Sequence, residues 1–389
     1  MASNWPTAKL GEVIDLFDSQ RVPLNSRQRH ERQGEYPYYG AQGVIDHIDG
    51  YIFDGRYILV AEDGENLNSK KLPLALFATG KFWVNNHAHI LRGKAGVADD
   101  TFLLACLNNA DIKPFVTGAA QPKLSQGNLR LIEIPLPPFP IQRRIAGILS
   151  AYDELIENSQ RRIKILESMA RALYREWFVH FRFTVHESVP RVPSAIGEMP
   201  QGWEVKKLKD VCRLTMGQSP KSEFYNEDGL GVAFHQGVTD FGDRFPSDRL
   251  FCTADGRMSE AGDILFSVRA PVGRMNIANK QIMLGRGLSA IRHQSGYQAF
   301  LWEQLRNRFT KDDMMGNGAI FASVTKEDMQ GIDLVCPPEK IVEAATAHFE
   351  PLHTELATLS QQTQNLRHTR DLLLPRLLSG QIDVEAIAS

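Results

Sequence analysis

Residues 141–178, IQRRIAGILSAYDELIENSQRRIKILESMARALYREWF, decide the fold that the sequence predicts. Apolar side chains recur in this stretch at alternating steps of four and three, which is the spacing of a long helix with one apolar seam. The seam consists of Ile145, Leu149, Tyr152, Ile156, Ser159, Ile163, Leu166, Ala170, Leu173 and Trp177. Only Ser159 among them is clearly polar. At 1.5 Å per residue the helix would be on the order of 50 Å long.

The same seam returns 200 positions later, in CPPEKIVEAATAHFEPLHTELATLSQQTQNLRHTRDLLLPRLLSG (336–380). The second seam consists of Ala345, Phe349, Leu352, Leu356, Leu359, Thr363, Leu366, Arg370, Leu373 and Leu377. A homotypic coiled coil is the more usual meaning of such a pattern, but two matching helices in one chain favour pairing within the chain. We expect Pro351 to kink the second helix and Gly380 to end it.

The segments before the two helices also correspond. Both open on a tryptophan, Trp5 and Trp203, and continue into short β-type runs interrupted by glycines. We therefore predict an α+β fold with an internal pseudo-twofold repeat: two sheet-rich globular domains, each followed by a long helix, with the helices paired antiparallel. The predicted boundaries are 1–135 for the first domain, 136–182 for its helix, 183–201 for a proline-containing linker, 202–336 for the second domain, and 337–389 for the second helix and tail.

Composition narrows the class of protein. The 389 residues, 43% hydrophobic and 23% charged, suggest a globular chain of two or three domains. The N-terminus has no apolar run and no stretch reaches 18 apolar residues, so we expect neither a signal peptide nor a membrane span. Four cysteines without a C-x-x-C pair argue against zinc and disulfides and fit a cytoplasmic protein. Because the net charge is −2, any surface that binds nucleic acid must be a local basic patch.

The motifs do not support a catalytic site. LPPF at 136–139 is similar to the Asp/Asn-Pro-Pro-Phe signature of amino-methyltransferases, but Leu136 cannot accept a hydrogen bond from the amino group being methylated. We interpret the two Pro-Pro pairs as helix starts. No phosphate-binding glycine loop is present, and Glu204-Val205-Lys206 lacks the upstream Pro-Asp of a nuclease core. His87 and His89 have no third ligand at suitable spacing, so structural histidines are expected, with no metal and no catalytic residue.

Taken together, the chain resembles a specificity subunit of a type I restriction–modification system over essentially its whole length. The motifs that carry the resemblance are YPYYGAQGVIDHIDGYIFDGRYILVAEDG (36–64), GKFWVNNHAHILRG (80–93), AAQPKLSQGNLRLIEIPLPP (119–138), ALYREWFVHF (172–181) and LLLPRLLSGQIDV (372–384). The resemblance implies two target recognition domains that each read one half of a split site in double-stranded DNA. It also implies helices that set the spacing and dock two adenine methyltransferase subunits, and through them the restriction (translocase) subunits. S-adenosylmethionine is then expected on the methyltransferase, with no cofactor on this chain.

The residues that could read DNA are those whose side chains suit bases or phosphates. Arg and Lys pair with guanine, Asn and Gln pair with adenine, and other basic groups hold phosphates. In the first domain the candidates are Asn66, Asn68, Lys70, Lys71, Arg92, Lys94, Gln121 and Lys123. In the second domain they are Lys221, Gln236, Arg269, Arg274, Arg286 and Arg292. For each one alone, a solvated surface group is the competing interpretation; as a set on turns they are more credible.

Two features leave alternatives open. The turn GAAQPKLSQG (118–127), with Gln121 and Lys123, is the strongest candidate, but its counterpart GNGAIFASVTKED (316–328) lacks Gln-Pro-Lys. Tyr36, Tyr38 and Tyr39 could stack on bases, although core packing is favoured.

Two other classes of protein compete with this interpretation. A methyltransferase with its own recognition domain would bind S-adenosylmethionine by itself. A coiled-coil repressor or architectural protein would form a homodimer on a palindromic site.

Overall fold

The structure, a computed structural model, describes residues 5–118, 120–184, 186–194, 197–309 and 323–384. Outside these residues lie Ala119 of the turn GAAQPKLSQG, residues 316–322 of the turn GNGAIFASVTKED, and the end of the predicted tail, 385–389. The chain folds as two compact units. Unit 1 is Met1–Glu157 with Asn365–Ser389, and unit 2 is Asn158–Gln364. Each unit therefore contains one globular domain together with parts of both long helices.

Unit 1 is built on a mixed sheet. Its strands are β1 (Thr7–Lys9), β2 (Ile14–Leu16), β3 (Gln33–Gly40), β4 (Gly43–Ile48), β5 (Phe53–Ala61), β6 (Ala75–Val84), β7 (Ala88–Gly93) and β8 (Glu133–Pro135). A six-stranded sheet has the order β2-β7-β5-β6-β3-β4, in which only the β3–β6 pairing is parallel. The first four residues of β7 are buried, as expected for a strand covered on both faces. Strands β1 and β8 form a separate antiparallel pair that closes the domain.

The helices of unit 1 are mostly short. They are α1 (Leu10–Val13), α2 (Ser26–Glu31), α3 (Asn66–Ser69), α4 (Asp100–Asn109), α5 (Gln126–Leu131) and the long helix α6 (Phe139–Tyr174). Helix α4 starts at an N-cap, where the Asp99 carboxylate accepts hydrogen bonds from the Thr101 and Phe102 N–H groups at 2.9 and 3.0 Å. Its buried side chains, including Phe102 and Leu107, pack in the main core of unit 1.

Unit 2 has the same plan with shorter strands. They are β9 (Arg191–Ser194), β10 (Gly197–Pro200), β11 (Glu204–Lys207), β12 (Cys212–Met216), β13 (Tyr225–Asn226), β14 (Val232–His235), β15 (Phe251–Cys252), β16 (Met258–Ser259), β17 (Ile264–Ser267), β18 (Met275–Ile277), β19 (Ile282–Leu284), β20 (Leu288–His293) and β21 (Asp333–Cys336). Two sheets have the orders β12-β20-β17-β18 and β13-β15-β14-β19-β16, and β11 pairs with β21. The helices are α7 (Leu208–Val211), α8 (Gln298–Arg308), α9 (Lys326–Gln330) and the long helix α10 (Glu339–Leu378).

The repeat seen in the sequence extends to individual hydrogen bonds. Strands β7 and β20 begin at Ala88 and Leu288, and both have four buried residues followed by two half-buried ones. The Leu10 N–H donates to the Ile132 carbonyl at 2.8 Å, and the Leu208 N–H donates to the Ile332 carbonyl, also at 2.8 Å. The predicted fold class, two sheet-rich domains each followed by a long helix, is confirmed.

In unit 1 the first turns of α6 pack against the last turns of α10. Ile145 and Leu149 are buried in one cluster with Leu377 and Leu378 of α10. Arg370 forms an ion pair with Asp153 at 2.7 Å. The start of one helix therefore contacts the end of the other, so the two helices run antiparallel.

In unit 2 the last turns of α6 pack against the first turns of α10. Ala170 and Tyr174 share a cluster with Ala345 and Phe349. All positions of both predicted seams are buried or half-buried, whereas Leu155, one position before Ile156 of the seam, is 55% exposed. Burial along the seams follows the heptad spacing in both halves of the helix pair.

The two long helices end differently. Helix α10 continues as one helix past Pro351 and Pro375, and it ends just before Gly380, as predicted, in a Schellman motif. There Gly380 has φ +73°, its N–H donates to Leu377 at 3.2 Å, and the Gln381 N–H donates to Arg376 at 2.9 Å. Helix α6 instead continues into a π-helical turn, Arg175–Val179.

The linker predicted at 183–201 contains regular structure. Strands β9 and β10 form an antiparallel hairpin within it. Phe183 and Met199 are buried in one cluster with Trp203. Side chains of the linker thus belong to the core of unit 2, which the proline-rich composition does not reveal.

Candidate nucleic-acid interface

Three loops of unit 2 meet at Gly287. Its N–H donates to the Gln236 carbonyl at 3.0 Å, and its own carbonyl accepts from the Val268 N–H at 2.9 Å. These bonds join the ends of β14 and β17 to the turn between β19 and β20. A Cβ atom on Gly287 would lie 2.4 Å from the Gln236 oxygen, so the junction requires glycine.

The junction carries a small cleft of about 130 Å³. Gln236, Arg269 and Arg286 line it, and all three were DNA-binding candidates from the sequence. Their side chains are exposed, and among the described residues neither arginine side chain has a hydrogen bond or ion pair. The fold thus brings together two unpaired guanidinium groups and an amide that lie far apart in the sequence.

Unit 1 has a matching junction that shares part of this hydrogen bonding. The Glu62 N–H donates to the His87 carbonyl at 2.9 Å, as Val268 does to Gly287. The bridge between Asp63 and Lys123 matches the bridge between Arg269 and Ser323. By this equivalence Asp63 stands where unit 2 has Arg269, Asn86 stands where it has Arg286, and Lys123 stands where it has Ser323.

The junction of unit 1 displays a different chemistry. His87 contacts Asp63 through Nδ1 and Oδ2 at 2.6 Å, and Asn86 is exposed beside it. A cleft of about 580 Å³ opens next to these residues, and its described lining includes four amide side chains, Asn25, Gln28, Asn85 and Asn86. Sequence reasoning missed these amides, although the pair Asn85-Asn86 lies inside the motif GKFWVNNHAHILRG.

Of the sequence-predicted residues in unit 1, Gln121 and Lys123 lie at this junction, and both are exposed. The Lys123 ammonium is 3.3 Å from a Glu62 carboxylate oxygen. The turn GAAQPKLSQG is therefore anchored to the loop that carries Asp63, through the Leu124 N–H, which donates to the Glu62 carbonyl at 2.8 Å.

A second group of predicted residues in unit 1 lies around helix α3, at a separate place. Asn68, Lys70 and Lys71 are exposed, and Lys70 donates to the Ala110 carbonyl at 2.9 Å. Asn66 is buried, and its amide bonds both the N–H and the carbonyl of Leu72, at 2.8 and 3.0 Å. Asn66 is therefore a structural residue rather than a surface contact.

Several of the cationic side chains predicted to bind DNA form hydrogen bonds within the protein. Arg92 lies 3.7 Å from the centre of the Tyr57 ring and donates to the Arg56 carbonyl, and Lys94 donates to the Glu12 carbonyl at 2.7 Å. In unit 2, Arg292 donates to Asp263 at 2.5 Å and to the Ala261 carbonyl at 2.7 Å.

The remaining candidates of unit 2, Lys221 and Arg274, are exposed and lie outside the cleft at Gly287.

The tyrosines of YPYYGAQG serve mainly as core. Tyr38 is fully buried, and its hydroxyl accepts from the Leu24 N–H at 2.8 Å. Tyr36 and Tyr39 are half-buried against other aromatic rings. The packing interpretation is the one that this geometry favours.

A buried ionic group lies beneath the junction of unit 1. Asp18, Glu62 and His89 have ligand atoms within 4.8 Å of one another, a grouping that the spacing of residues along the sequence does not reveal. Both nitrogens of His89 contact acceptors, the Asp18 carboxylate at 2.6 Å and the Leu124 carbonyl at 2.8 Å. With both ring nitrogens in contact with protein oxygens and Arg21 at 2.8 Å from Glu62, the group has the geometry of a hydrogen-bonded charge network.

Hydrogen bonding controls the charge of Asp18. Burial by itself would raise the pKa of its carboxyl group, but hydrogen bonds from His89 and the Ile90 N–H outweigh burial and hold the pKa below its usual value. The network joins three separate stretches of the chain, since His89 is on β7, Asp18 precedes α2, and Glu62 follows β5.

Fold and site together define a class of protein: two domains of one design, each with a loop junction that displays its own set of polar and charged side chains, built on a pair of antiparallel helices. Comparison with known proteins identifies the family to which this class belongs. The family model described as type I restriction modification DNA specificity domain matches residues 2–168 and again 200–366.

Individual relatives agree with that match. A putative type I restriction enzyme specificity subunit of Methanocaldococcus jannaschii, MjaX, is 31% identical over 98% of this chain and 94% of its own length. A putative type I specificity subunit of Haemophilus influenzae is 29% identical over 68% of this chain and 66% of its own length. The crystal structure of the S subunit of the M. genitalium type I restriction–modification system has the same fold, with a TM-score of 0.67 at 16% identity, over 97% of this chain and 96% of that one. The chain belongs to the family of type I restriction–modification specificity subunits and carries two copies of the specificity domain.

None of the described helices combines the length and the apolar content that crossing a membrane would require.

Proposed function

We propose that this chain is the DNA-reading subunit of a type I restriction–modification complex and that the loop junction of each unit reads one half of a split, asymmetric site. The observation that carries the proposal is that one backbone scaffold occurs twice with different side chains on it. Asp63 and Asn86 occupy the positions that Arg269 and Arg286 occupy in unit 2. Side chains of different hydrogen-bonding type select different bases, so the two half-sites should differ.

The chain itself is proposed to be non-catalytic. Leu136 replaces the Asp or Asn that an amino-methyltransferase uses at its Pro-Pro-Phe motif, and the Pro138 carbonyl accepts the Ile141 N–H in the first turn of α6. Pro338 does the same for Ile341 in α10. S-adenosylmethionine is accordingly assigned to a partner methyltransferase, and DNA cleavage to the restriction subunit.

Two copies of the methyltransferase are the proposed stoichiometry. The repeated sequence makes corresponding positions of α6 and α10 available twice, so a partner that recognises one can recognise the other. Each helix also has exposed apolar side chains that point away from the seams, Leu155 on α6 and Leu372 on α10, which are 55% and 53% exposed and occupy non-equivalent positions. Exposed apolar groups on helices suit a protein–protein contact.

The test is a single-molecule map of N6-methyladenine in the host genome, with this gene intact and deleted. Loss of one split, asymmetric methylated motif on deletion is the expected result, and complementation with the intact gene should restore it. An unchanged map would contradict the proposal and would favour a DNA-binding scaffold or repressor. Purified chain should not crosslink to S-adenosylmethionine without the methyltransferase.

A further inference from the structure

We propose that Arg269 and Arg286 are the guanine-reading residues of unit 2, so that the second half-site contains G·C pairs contacted in the major groove by these two side chains. This inference rests on the proposed function, and it specifies which base the junction of unit 2 recognises. The bidentate fit of a guanidinium group to the O6 and N7 atoms of guanine is the chemistry involved.

Among the described residues, the two arginines differ from other arginines of unit 2 in having no internal partner. Arg213 and Arg292 pair with Glu260 and Asp263 at 2.5 Å each. Arg269 and Arg286 are exposed and, among the described residues, unpaired. No acidic side chain is among the described residues that line their cleft, so within that set two positive charges face one small space without a carboxylate.

The backbone that carries them is held in place. Besides the bonds at Gly287, the Gly285 N–H donates to the His235 carbonyl at 2.9 Å, and the Val324 N–H donates to the Val268 carbonyl at 2.8 Å. A Cβ atom on Gly285 would lie 2.6 Å from the Gln236 Cα atom, so the strands approach at van der Waals limits. A rigid base reduces the entropy lost when the two side chains bind.

Comparison of the two units distinguishes base contacts from phosphate contacts. The phosphate backbone is the same in both half-sites, so a phosphate-binding position should carry a cation or a neutral donor in both units. At the position of Arg269, unit 1 has the carboxylate of Asp63, which phosphate would repel. A position that changes from guanidinium to carboxylate behaves as expected for a residue that selects a base, because a carboxylate accepts from cytosine N4.

The experiment uses the complete complex of this chain with its methyltransferase, expressed in a host whose own copy of the gene is deleted. The methylated motif is mapped for R269A, R286A and the double variant. Two controls accompany them: K209A removes an exposed cation of unit 2 outside the cleft, and R213A removes an exposed arginine that is already paired with Glu260. Thermal unfolding of each purified chain checks that the variants fold.

We expect R269A and R286A each to relax a guanine in the second half-site while the first half-site stays unchanged. Affinity for the cognate duplex should fall by about 5- to 150-fold per variant, the range for one bidentate base contact. Both controls should keep the wild-type motif.

An unchanged motif with uniformly weaker binding, and a log–log salt slope smaller by about 0.9, would assign these arginines to phosphates and overturn the inference. An unchanged motif with unchanged affinity would also overturn it. Failure of the proposed function has a different signature: deletion of the gene would then remove no methylated motif in the wild-type background.

Discussion

Gly287 shows how a single residue without a side chain positions a recognition surface. Its backbone bonds hold the loops of Gln236 and Arg269 together, and the space where its Cβ would lie is occupied by the Gln236 carbonyl. The neighbouring Gly237 differs, since its φ of −170° is extended and no described atom lies within 4 Å of its would-be Cβ. The two glycines of one cleft therefore make a matched pair for mutagenesis.

Replacing Gly287 with alanine should separate the loops of the cleft. We expect G287A to lower the free energy of unfolding by about 1–3 kcal/mol, the usual cost of forcing extra volume into a packed site. It should also weaken binding to the second half-site. The measurement is thermal unfolding together with affinity for the cognate duplex, with G237A as the control; equal effects of the two variants would contradict the steric argument.

The Asp18–His89 pair makes unit 1 sensitive to acid. Because the pKa of Asp18 is lowered in the fold, its stabilising contribution is fully present above its unfolded value, about 3.9, and is lost as the pH falls through the lowered folded value. D18N should destabilise unit 1 near neutral pH by roughly 1–3 kcal/mol, because it removes a buried carboxylate that is hydrogen-bonded to His89 and to the Ile90 N–H.

Hydrogen exchange of peptides that cover β7, followed from pH 7 to pH 3, measures this effect. The difference between wild type and D18N should shrink below pH 4 or so, because the wild type loses the same interaction there. D49N is the control: Asp49 pairs with Arg32 at 2.8 Å with its side chain 51% exposed, and such pairs contribute at most about 1 kcal/mol. A gap between wild type and D18N that persists into acid would contradict the assignment.

Among the elements, the long helices are the most regular part of the molecule. Their seams keep one heptad register, with buried polar members at Ser159 and Thr363. The Thr363 hydroxyl donates to the Leu359 carbonyl of its own helix at 2.8 Å, so this side chain is satisfied without a partner on α6. The pairing of the helices therefore depends on the apolar members of the seams and on a few ion pairs, such as Arg162 with Glu355 at 2.5 Å.

Deleting one heptad from each helix, residues 158–164 and 358–364, should keep the seams in register. We expect both half-sites to remain unchanged while the number of unspecified base pairs between them falls by about three, since seven helical residues rise roughly 10 Å and one base pair about 3.4 Å. Methylome mapping reads both quantities at once. Deleting four residues from each helix is the control, because it breaks the heptad register; altered half-sites in the seven-residue variant would refute the spacer role.

At the scale of the whole molecule, each recognition domain is closed at its base. Thr7 pairs with Pro135 through β1 and β8, and Glu204 pairs with Cys336 through β11 and β21. The chain thus enters and leaves each domain at adjacent points on an equivalent strand pair. This arrangement makes a domain exchangeable without disturbing the helix that follows it.

Replacing residues 204–336 by a second copy of residues 7–135 should therefore give a functional chain. Its methylated motif should be an inverted repeat of the first half-site, because two identical domains on antiparallel helices have twofold symmetry. The reciprocal exchange should give an inverted repeat of the second half-site. If both chains assemble with the methyltransferase but methylate no palindromic motif, the modular reading of the site is wrong.

The sequence by itself determined the architecture, because the relevant signals are local or repeat at a constant offset. Heptad spacing predicted the two helices, the offset of 200 residues predicted the repeat, and Gly380 marked a helix end. The residues that act together at the junctions were not predictable in the same way. Arg269 and Arg286 were recognised as candidates, but so were Arg92 and Arg292, which the structure shows bonded internally.

Only the tertiary structure decided which of these side chains are available. The partner of an arginine, or of a histidine such as His89, is set by residues that are distant in sequence and adjacent in space: Asp18 precedes His89 by 71 positions. Periodicity shows which face of an element is buried, but it carries no information about which loops meet at a glycine such as Gly287. The sequence was therefore sufficient to predict the architecture. Which side chains each recognition surface exposes is decided by contacts between loops that are distant in the sequence.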